Sequence, residues 1–172
     1  METHKIPAGK FAVNYGLILG AIMVLIAIVM YATDMAFKGQ QWPVYLYYVA
    51  FPIIILLTIS KYKQYSAGWL SFGEALKIGL VVGLISALVY TVYIIIFNYI
   101  IDTEFNAKII EYATDQIAQS DAPVESKELQ LKMIEFMSNP IMGSAFWIAM
   151  SLFFALIYSL IGGLVMKKTE DA

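Results

Sequence analysis

The sequence contains no cysteine and no arginine, and its only histidine is His4. Without cysteine, the chain has no disulfides, cysteine-ligated zinc sites or iron–sulfur clusters. Arginine is the preferred residue for bidentate contacts to phosphates and bases, so its absence argues against a nucleic-acid partner. We interpret His4 as a solvated residue of the N-terminal tail rather than a metal ligand. The sequence therefore predicts a protein without a metal or a cofactor.

Familiar catalytic motifs and charged residues are also scarce. The sequence has no Ser-His-Asp set, no His-Glu-x-x-His pair and no glycine-rich phosphate loop. Charged residues make up only 14% of the chain, whereas hydrophobic residues make up 60%. A soluble domain usually carries about 25% charged residues and roughly 45–50% apolar ones. These features predict a membrane protein that is not an enzyme.

Four long, almost uncharged runs account for the hydrophobic excess. Runs of roughly 18 or more such residues are typical of membrane-spanning helices. The predicted spans are residues 11–32, 44–60, 75–101 and 141–166. The first is too long for the apolar region of a signal peptide. We therefore predict one all-α, polytopic membrane domain over residues 1–172 with four transmembrane helices, the second of them kinked at Pro52.

Ser71 and Glu74 mark the start of the third helix. In the order Ser-Phe-Gly-Glu, the serine hydroxyl can accept a backbone N–H while the glutamate reaches back to the cap, which is a capping box. This role, together with the neighbouring Lys77, accounts for Glu74 without a functional carboxylate. The deepest polar residues of the spans, interpreted as partners in interhelical hydrogen bonds, are Asn14, Ser86, Thr91 and Asn98.

Residues 102–139 form the only long polar segment, with eight carboxylates and three lysines, a net charge of −5. Apolar residues recur in it at helical spacing, which predicts an amphipathic helical hairpin between the third and fourth transmembrane helices. One stripe comprises Phe105, Ile109, Tyr112 and Ala113, and the other comprises Leu129, Met133, Phe136 and Met137. The stripes can cover each other, lie on the membrane surface or meet a protein partner, and the second is the candidate partner contact. The carboxylates lack the spacing of a calcium loop.

The lysines are distributed unevenly between the two sides of the membrane. The side that holds the N-terminus, the second loop and the C-terminus has Lys5, Lys10, Lys61, Lys63, Lys77, Lys167 and Lys168. The other side has Lys38 and the three lysines of the acidic hairpin. Because cytoplasmic segments are enriched in lysine, both termini are predicted to be cytoplasmic and the hairpin extracytoplasmic.

Small residues recur at every fourth position on three of the predicted spans. They are Ala12, Gly16 and Gly20 on the first, Ala75, Gly79, Gly83 and Ala87 on the third, and Ser151, Ala155, Ser159 and Gly163 on the fourth. Such stripes let helix backbones approach closely in lipid. We expect a four-helix bundle that packs closely near the cytoplasm and is filled by aromatic rings in its outer half. A homo-oligomer interface is the alternative use of these stripes.

Three short motifs carry a resemblance to a known family. They are residues 70–79, Leu-Ser-Phe-Gly-Glu-Ala-Leu-Lys-Ile-Gly; residues 99–102, Tyr-Ile-Ile-Asp; and residues 136–140, Phe-Met-Ser-Asn-Pro. With the four-span layout, they resemble the membrane-protein family catalogued as domain of unknown function 4199, found mainly in Bacteroidota. The resemblance covers nearly the whole chain and implies a bacterial inner-membrane protein. It implies no activity, substrate or catalytic residue.

The sequence leaves several functions open. The leading hypothesis is a non-enzymatic scaffold or regulatory protein that binds a partner through the acidic hairpin. The first alternative is an oligomeric small transporter or channel subunit, which one copy alone would not form because its spans lack a polar path. The second is a membrane protein that binds lipid or a small ligand with its aromatic outer half. Membrane lipid is the one partner expected in every case.

Overall fold

The computed structural model describes residues 6–35, 37–38 and 40–168, so His4 and Lys5 lie outside the described residues. The helices in that part of the chain are α1 (Ala8–Ala32), α2 (Trp42–Tyr65), α3 (Phe72–Ile96), α4 (Phe105–Gln119), α5 (Val124–Ser138) and α6 (Pro140–Met166). No described residue belongs to a named strand. Helices α1, α2, α6, and α3 with its continuation to Ile101, are long and apolar enough to cross a membrane. The predicted all-α class with four apolar helices is confirmed.

Helix α3 lies at the centre of the helix packing. It packs along α1 and along α6, while α2 contacts α1, α3 and α6. The buried side chains between these helices include Leu19, Tyr47, Ile55, Ile78 and Val82. Many other large apolar side chains point outward instead; those of Leu25 and Val165 are 61% and 76% exposed. An apolar surface of this extent is unusual for a soluble monomer and suits contact with lipid.

Side-chain caps fix the starts of α3 and α6. The Ser71 hydroxyl accepts the backbone N–H of Glu74 at 3.2 Å, and the Glu74 carboxylate accepts the backbone N–H of Ser71 at 2.8 Å. Asn139 caps α6, because its side-chain oxygen accepts two backbone N–H groups of the first turn. Pro140 follows at the first helical position, where a missing N–H costs nothing. The capping box predicted from the sequence is therefore present.

Helix α2 continues through Pro52 without a break. Proline has no backbone N–H, so the carbonyl of Tyr48, four residues earlier, loses its usual helical donor. The helix is also longer than its predicted span at both ends. It begins at Trp42 and ends at Tyr65.

One π-helical turn, Phe97–Ile101, follows α3. The Asn98 side-chain amide donates to the Ile94 carbonyl at 2.9 Å, the acceptor that the Asn98 backbone N–H would use in an α-helix. The backbone pattern shifts accordingly, and the Asp102 N–H reaches the Phe97 carbonyl, five residues back, at 2.9 Å. A polar side chain that competes with the backbone therefore explains the wider turn. The third helix was predicted to run to about residue 101, and it does so, with an α-helical part that ends at Ile96 and a final π-helical turn.

Helices α4 and α5 form the hairpin that joins α3 to α6. They pack against each other. At the base, the Asn106 side chain donates to the Ser138 carbonyl at 2.7 Å. Near the turn, the Lys127 ammonium donates to the Ala118 carbonyl at 3.0 Å. The predicted helical hairpin is thus present between the third and fourth long helices.

Candidate functional site: an aromatic cleft beside the hairpin

Small residues bring α3 and α6 into close contact. A methyl group added at Gly83 would lie 2.6 Å from the Ala155 Cβ, and one added at Gly79 would collide with Ser159. In both cases the added methyl group would lie closer to its neighbour than carbon atoms in ordinary contact do. The two stripes predicted on the third and fourth spans therefore meet each other within the chain, which lets these two backbones approach closely.

The stripe on α1 faces a different surface of α3. Methyl groups added at Gly16 and Gly20 would lie 2.7 Å from the Ile85 Cβ and 2.6 Å from the Val89 Cβ. The remaining predicted packing residues are buried as well: Ala12, Ala75, Ala87, Ser151 and Gly163. All three stripes thus contact other helices of the same chain. A second copy of the chain would have to pack on another surface.

Of the four deep polar residues interpreted as partners in interhelical hydrogen bonds, two donate hydrogen bonds within their own helix. The hydroxyl of Ser86 donates to the Gly83 carbonyl at 3.0 Å, and Asn98 donates to Ile94, so both donated bonds stay within one continuous helix. Asn14 is exposed. Thr91 has a buried hydroxyl without a hydrogen-bond partner in the described structure. Interhelical hydrogen bonding is therefore the wrong interpretation of the bonds that Ser86 and Asn98 donate.

Glu74 is held at the opposite end of the long helices from the hairpin. Besides its two bonds within the cap, its carboxylate accepts a hydrogen bond from the Tyr62 hydroxyl at 3.2 Å. Tyr62 is buried in α2. The predicted cap residue therefore also links α3 to α2, which the sequence did not indicate.

Aromatic rings attach the base of the hairpin to the long helices. Phe105 of α4 packs against Phe97 of the π-helical turn, Tyr31 of α1 and Phe37 of the first loop, with ring centroids 5.2, 5.7 and 5.5 Å apart. The Tyr31 hydroxyl also donates to the Asp102 carboxylate at 3.1 Å. The start of α4 is thereby fixed to two long helices.

The apolar stripe of α5 is exposed. Leu129, Met133, Phe136 and Met137 are 61%, 59%, 49% and 42% exposed, whereas the α4 residues Phe105, Ile109 and Tyr112 are half-buried. The sequence left three possibilities for the α5 stripe: packing on the stripe of α4, contact with the membrane surface, or contact with a protein partner. In the structure, the α5 stripe is not covered by α4. Leu129, Met133 and Phe136 are therefore open to contact with lipid or a partner.

A cleft opens between α2 and α6 beside the hairpin. It has a volume of about 490 Å³, and its walls comprise Tyr47, Tyr48, Phe51, Met137, Phe146, Trp147, Met150, Ser151, Phe154 and Tyr158. Tyr48 and Phe154 are 54% and 41% exposed, so the cleft opens sideways between two long apolar helices. Small-molecule sites have volumes of roughly 300–1,000 Å³ and mostly apolar walls.

A second, smaller cavity adjoins the cleft across Trp147 and Met137. Its volume is about 220 Å³, and it is lined by Tyr90, Ile94, Asn98, Asn106, Met137, Ser138, Pro140, Gly143, Ser144 and Trp147. Three of its lining residues carry buried polar atoms without a hydrogen-bond partner in the described structure: the Asn98 side-chain oxygen, the Ser144 hydroxyl and the Trp147 indole nitrogen. The walls of the cleft are mainly apolar, whereas the lining of the adjoining cavity includes more asparagine and serine residues.

Comparison with known proteins identifies a family but no function. Residues 14–168 match the family described as "Protein of unknown function (DUF4199)". The chain belongs to this family. No curated protein and no solved structure matches the chain. The family assignment confirms the resemblance seen in the sequence, and the four apolar helices fit a membrane protein.

The sequence indicated an aromatic outer half, to which Tyr48, Phe146 and Trp147 belong, but not that these residues line a cleft. Ser144 and Trp147 are three positions apart and therefore share one face of α6. That spacing was visible in the sequence, yet their neighbours Asn98 and Tyr47 come from other helices. Among the described residues, no group of three or more histidines or carboxylates could hold a metal ion.

Proposed function

We propose that this protein is a non-enzymatic, multi-pass protein of the bacterial inner membrane that binds a lipid chain in the cleft between α2 and α6. The observation that carries the proposal is the cleft itself, about 490 Å³ in volume and lined mainly by aromatic and methionine side chains. Burial of apolar surface against such walls is the main source of affinity for apolar ligands. The four long helices would form a four-helix bundle in the membrane.

The position of the cleft supports a ligand that arrives from the membrane. The cleft opens beside Tyr48 and Phe154, on the same long helices that carry the exposed apolar surface. A lipid chain could enter sideways without crossing water. No residue that lines the cleft is charged or is a histidine, which supports a binding role rather than acid–base catalysis.

The lysine distribution supports an orientation with both termini in the cytoplasm and the hairpin outside. The cleft and the smaller cavity both include Met137, at the end of α5, so both would lie in the outer half of the membrane. This assignment of depth depends on the same orientation.

Tryptophan fluorescence can test ligand binding because Trp147 lines the cleft and only Trp42 and Trp69 must be replaced to isolate it. In a Trp42→Phe/Trp69→Phe protein in detergent, a lipid with a brominated chain should quench Trp147 saturably at low mole fraction. The matched control replaces Trp147 with Phe and introduces Ala149→Trp, an exposed position two residues further along α6. If both tryptophans are quenched in proportion to the bulk mole fraction, the cleft is not a binding site.

A second candidate function is docking of a protein partner on the hairpin. The exposed stripe of Leu129, Met133 and Phe136 favours it, because no described helix of the chain covers these side chains. The net charge of −5 over residues 102–139 favours a partner with a basic face over anionic lipid. A photo-crosslinking residue at Met133, with Lys132 as the control position, distinguishes a protein partner from lipid. A protein adduct that weakens with salt supports docking, whereas adducts only with lipid refute it.

A further inference from the structure

A cluster of lysines lies at the end of the long helices opposite the hairpin. Lys63 is in the last turn of α2, and Lys167 and Lys168 directly follow the last residue of α6. We propose that these three lysines, beside Trp69, bind the phosphate of an anionic phospholipid in the membrane leaflet opposite the hairpin. This site is separate from the proposed lipid-chain cleft, whose lining contains no residue of the lysine cluster.

Close packing of α2 against α6 brings these lysines to one groove. A methyl group added at Gly162 would lie 2.8 Å from the Ile59 Cδ1 atom, so the two helices touch at this point. They also meet in the cleft, nearer their starts, and therefore run in the same direction. Lys63 lies one turn after Ile59, and Lys167 lies just over one turn after Gly162. Both lysines are thus at the same end of the groove between α2 and α6.

The loop between α2 and α3 holds Lys168 in place. Lys168 and Leu70 exchange two backbone hydrogen bonds, each 2.9 Å long. The Lys168 ammonium lies 5.2 Å from the centre of the Trp69 ring, which is a cation–π contact. A free lysine side chain loses conformational entropy when a ligand orders it. These contacts order one of the three lysines before any lipid binds, which lowers that cost.

No carboxylate in the described part of the chain neutralises the lysine cluster. Its three lysines form no ion pair there. Glu74 is the only described acidic residue at this end, and its carboxylate accepts hydrogen bonds from its own helix cap and from α2. Glu170 and Asp171 follow in the sequence but lie outside the described residues. Because like charges close together repel, an anion bound between the lysines would be stabilised.

The surface next to the lysine cluster is apolar, which favours a phospholipid over a soluble phosphate. Ile161, Leu164 and Val165 are exposed in the last turns of α6, and Leu57 is exposed on α2. A phospholipid whose phosphate meets the lysines can lay its acyl chains along these side chains. A soluble phosphate would gain only the attraction between charges, which salt weakens. Lysines at a membrane surface are attracted to anionic lipid in particular.

Trp69 can report on this site when it is the only tryptophan. In a Trp42→Phe/Trp147→Phe protein in neutral detergent, phosphatidylglycerol and phosphatidylcholine with the same dibrominated chains are titrated separately. We expect phosphatidylglycerol to reach half-maximal quenching at a mole fraction at least about tenfold lower, with a difference that shrinks as salt is added. Equal midpoints would overturn the proposal. Displacement of phosphatidylglycerol by glycerol 3-phosphate would indicate a site for a soluble phosphate and would overturn it too.

Two variants locate the site without disturbing the reporter. Lys63→Gln and Lys167→Gln each remove one charge and leave the contact between Lys168 and Trp69 in place. Each should raise the phosphatidylglycerol midpoint about fivefold and leave the phosphatidylcholine midpoint unchanged. The matched control is Lys10→Gln, an exposed lysine at the same end on α1, and it should change the midpoint less than about twofold. If Lys10→Gln has the same effect as Lys167→Gln, the attraction belongs to the whole charged surface, and the assigned site is wrong.

Discussion

Replacement of Gly83 by alanine should destabilise the protein although it adds a single methyl group. That methyl would lie 2.6 Å from the Ala155 Cβ and 3.2 Å from the Ser151 carbonyl oxygen. Carbon atoms in contact are normally about 3.5–4.0 Å apart, so the two helices must separate by roughly 1 Å at this point. Overpacking of this kind costs about 1–3 kcal/mol. The cost should be larger than usual because one of the two neighbouring atoms belongs to the backbone, which cannot change rotamer.

Gly73 offers a matched control on the same helix. A methyl group added there meets no atom within 4 Å. Gly73→Ala should therefore be neutral or should stabilise the protein by up to about 1 kcal/mol, since alanine is the better helix former. The double variant Gly83→Ala/Ala155→Gly removes the facing methyl group and should recover part of the lost free energy of unfolding.

Unfolding in mixed micelles with increasing denaturing detergent, followed by tryptophan fluorescence, measures these differences. The expected order of stability is Gly73→Ala at or above the unmodified protein, then the double variant, then Gly83→Ala. Equal midpoints for Gly73→Ala and Gly83→Ala would show that α3 and α6 do not touch at this position. The account of close packing through small residues would then be wrong.

Three further predictions concern the orientation, the cap and the hairpin. In cells, a cysteine at Ser120 should react with a membrane-impermeant thiol reagent from outside the inner membrane; labelling only after that membrane is permeabilised would reverse the topology. Glu74→Ala should lower the free energy of unfolding by about 1–3 kcal/mol, because it removes the cap on Ser71 and the bond from Tyr62; a change below about 0.5 kcal/mol would contradict that role. Phe105→Ala should speed hydrogen exchange in α4 and α5 but not in α1, because its ring contacts fix the hairpin base; unchanged exchange would mean that the hairpin is held elsewhere.

Local signals in the sequence were enough for the number of long helices, the hairpin and the cap at Ser71. Each depends on residues close together in the chain: the uncharged runs, the 3.6-residue period and the spacing of Ser71 and Glu74. The family was also recognisable from short motifs. The small-residue stripes could be located in the same way, although not the helices that they face.

Tertiary structure decided what depends on the relative rotation and tilt of the helices. The α5 stripe could have covered α4, but the structure leaves Phe136 exposed. The Asn98 side chain bonds to its own helix and thereby produces the π-helical turn. A bond to a neighbouring helix was the alternative, and the sequence does not show which of the two bonds is more stable. The cleft also depends on tertiary structure, because Tyr47 and Trp147 are 100 residues apart and meet only where α2 packs beside α6. In the long helices, the stripes of small residues indicate which face packs against protein, whereas the neighbour of that face is set by packing among all four helices.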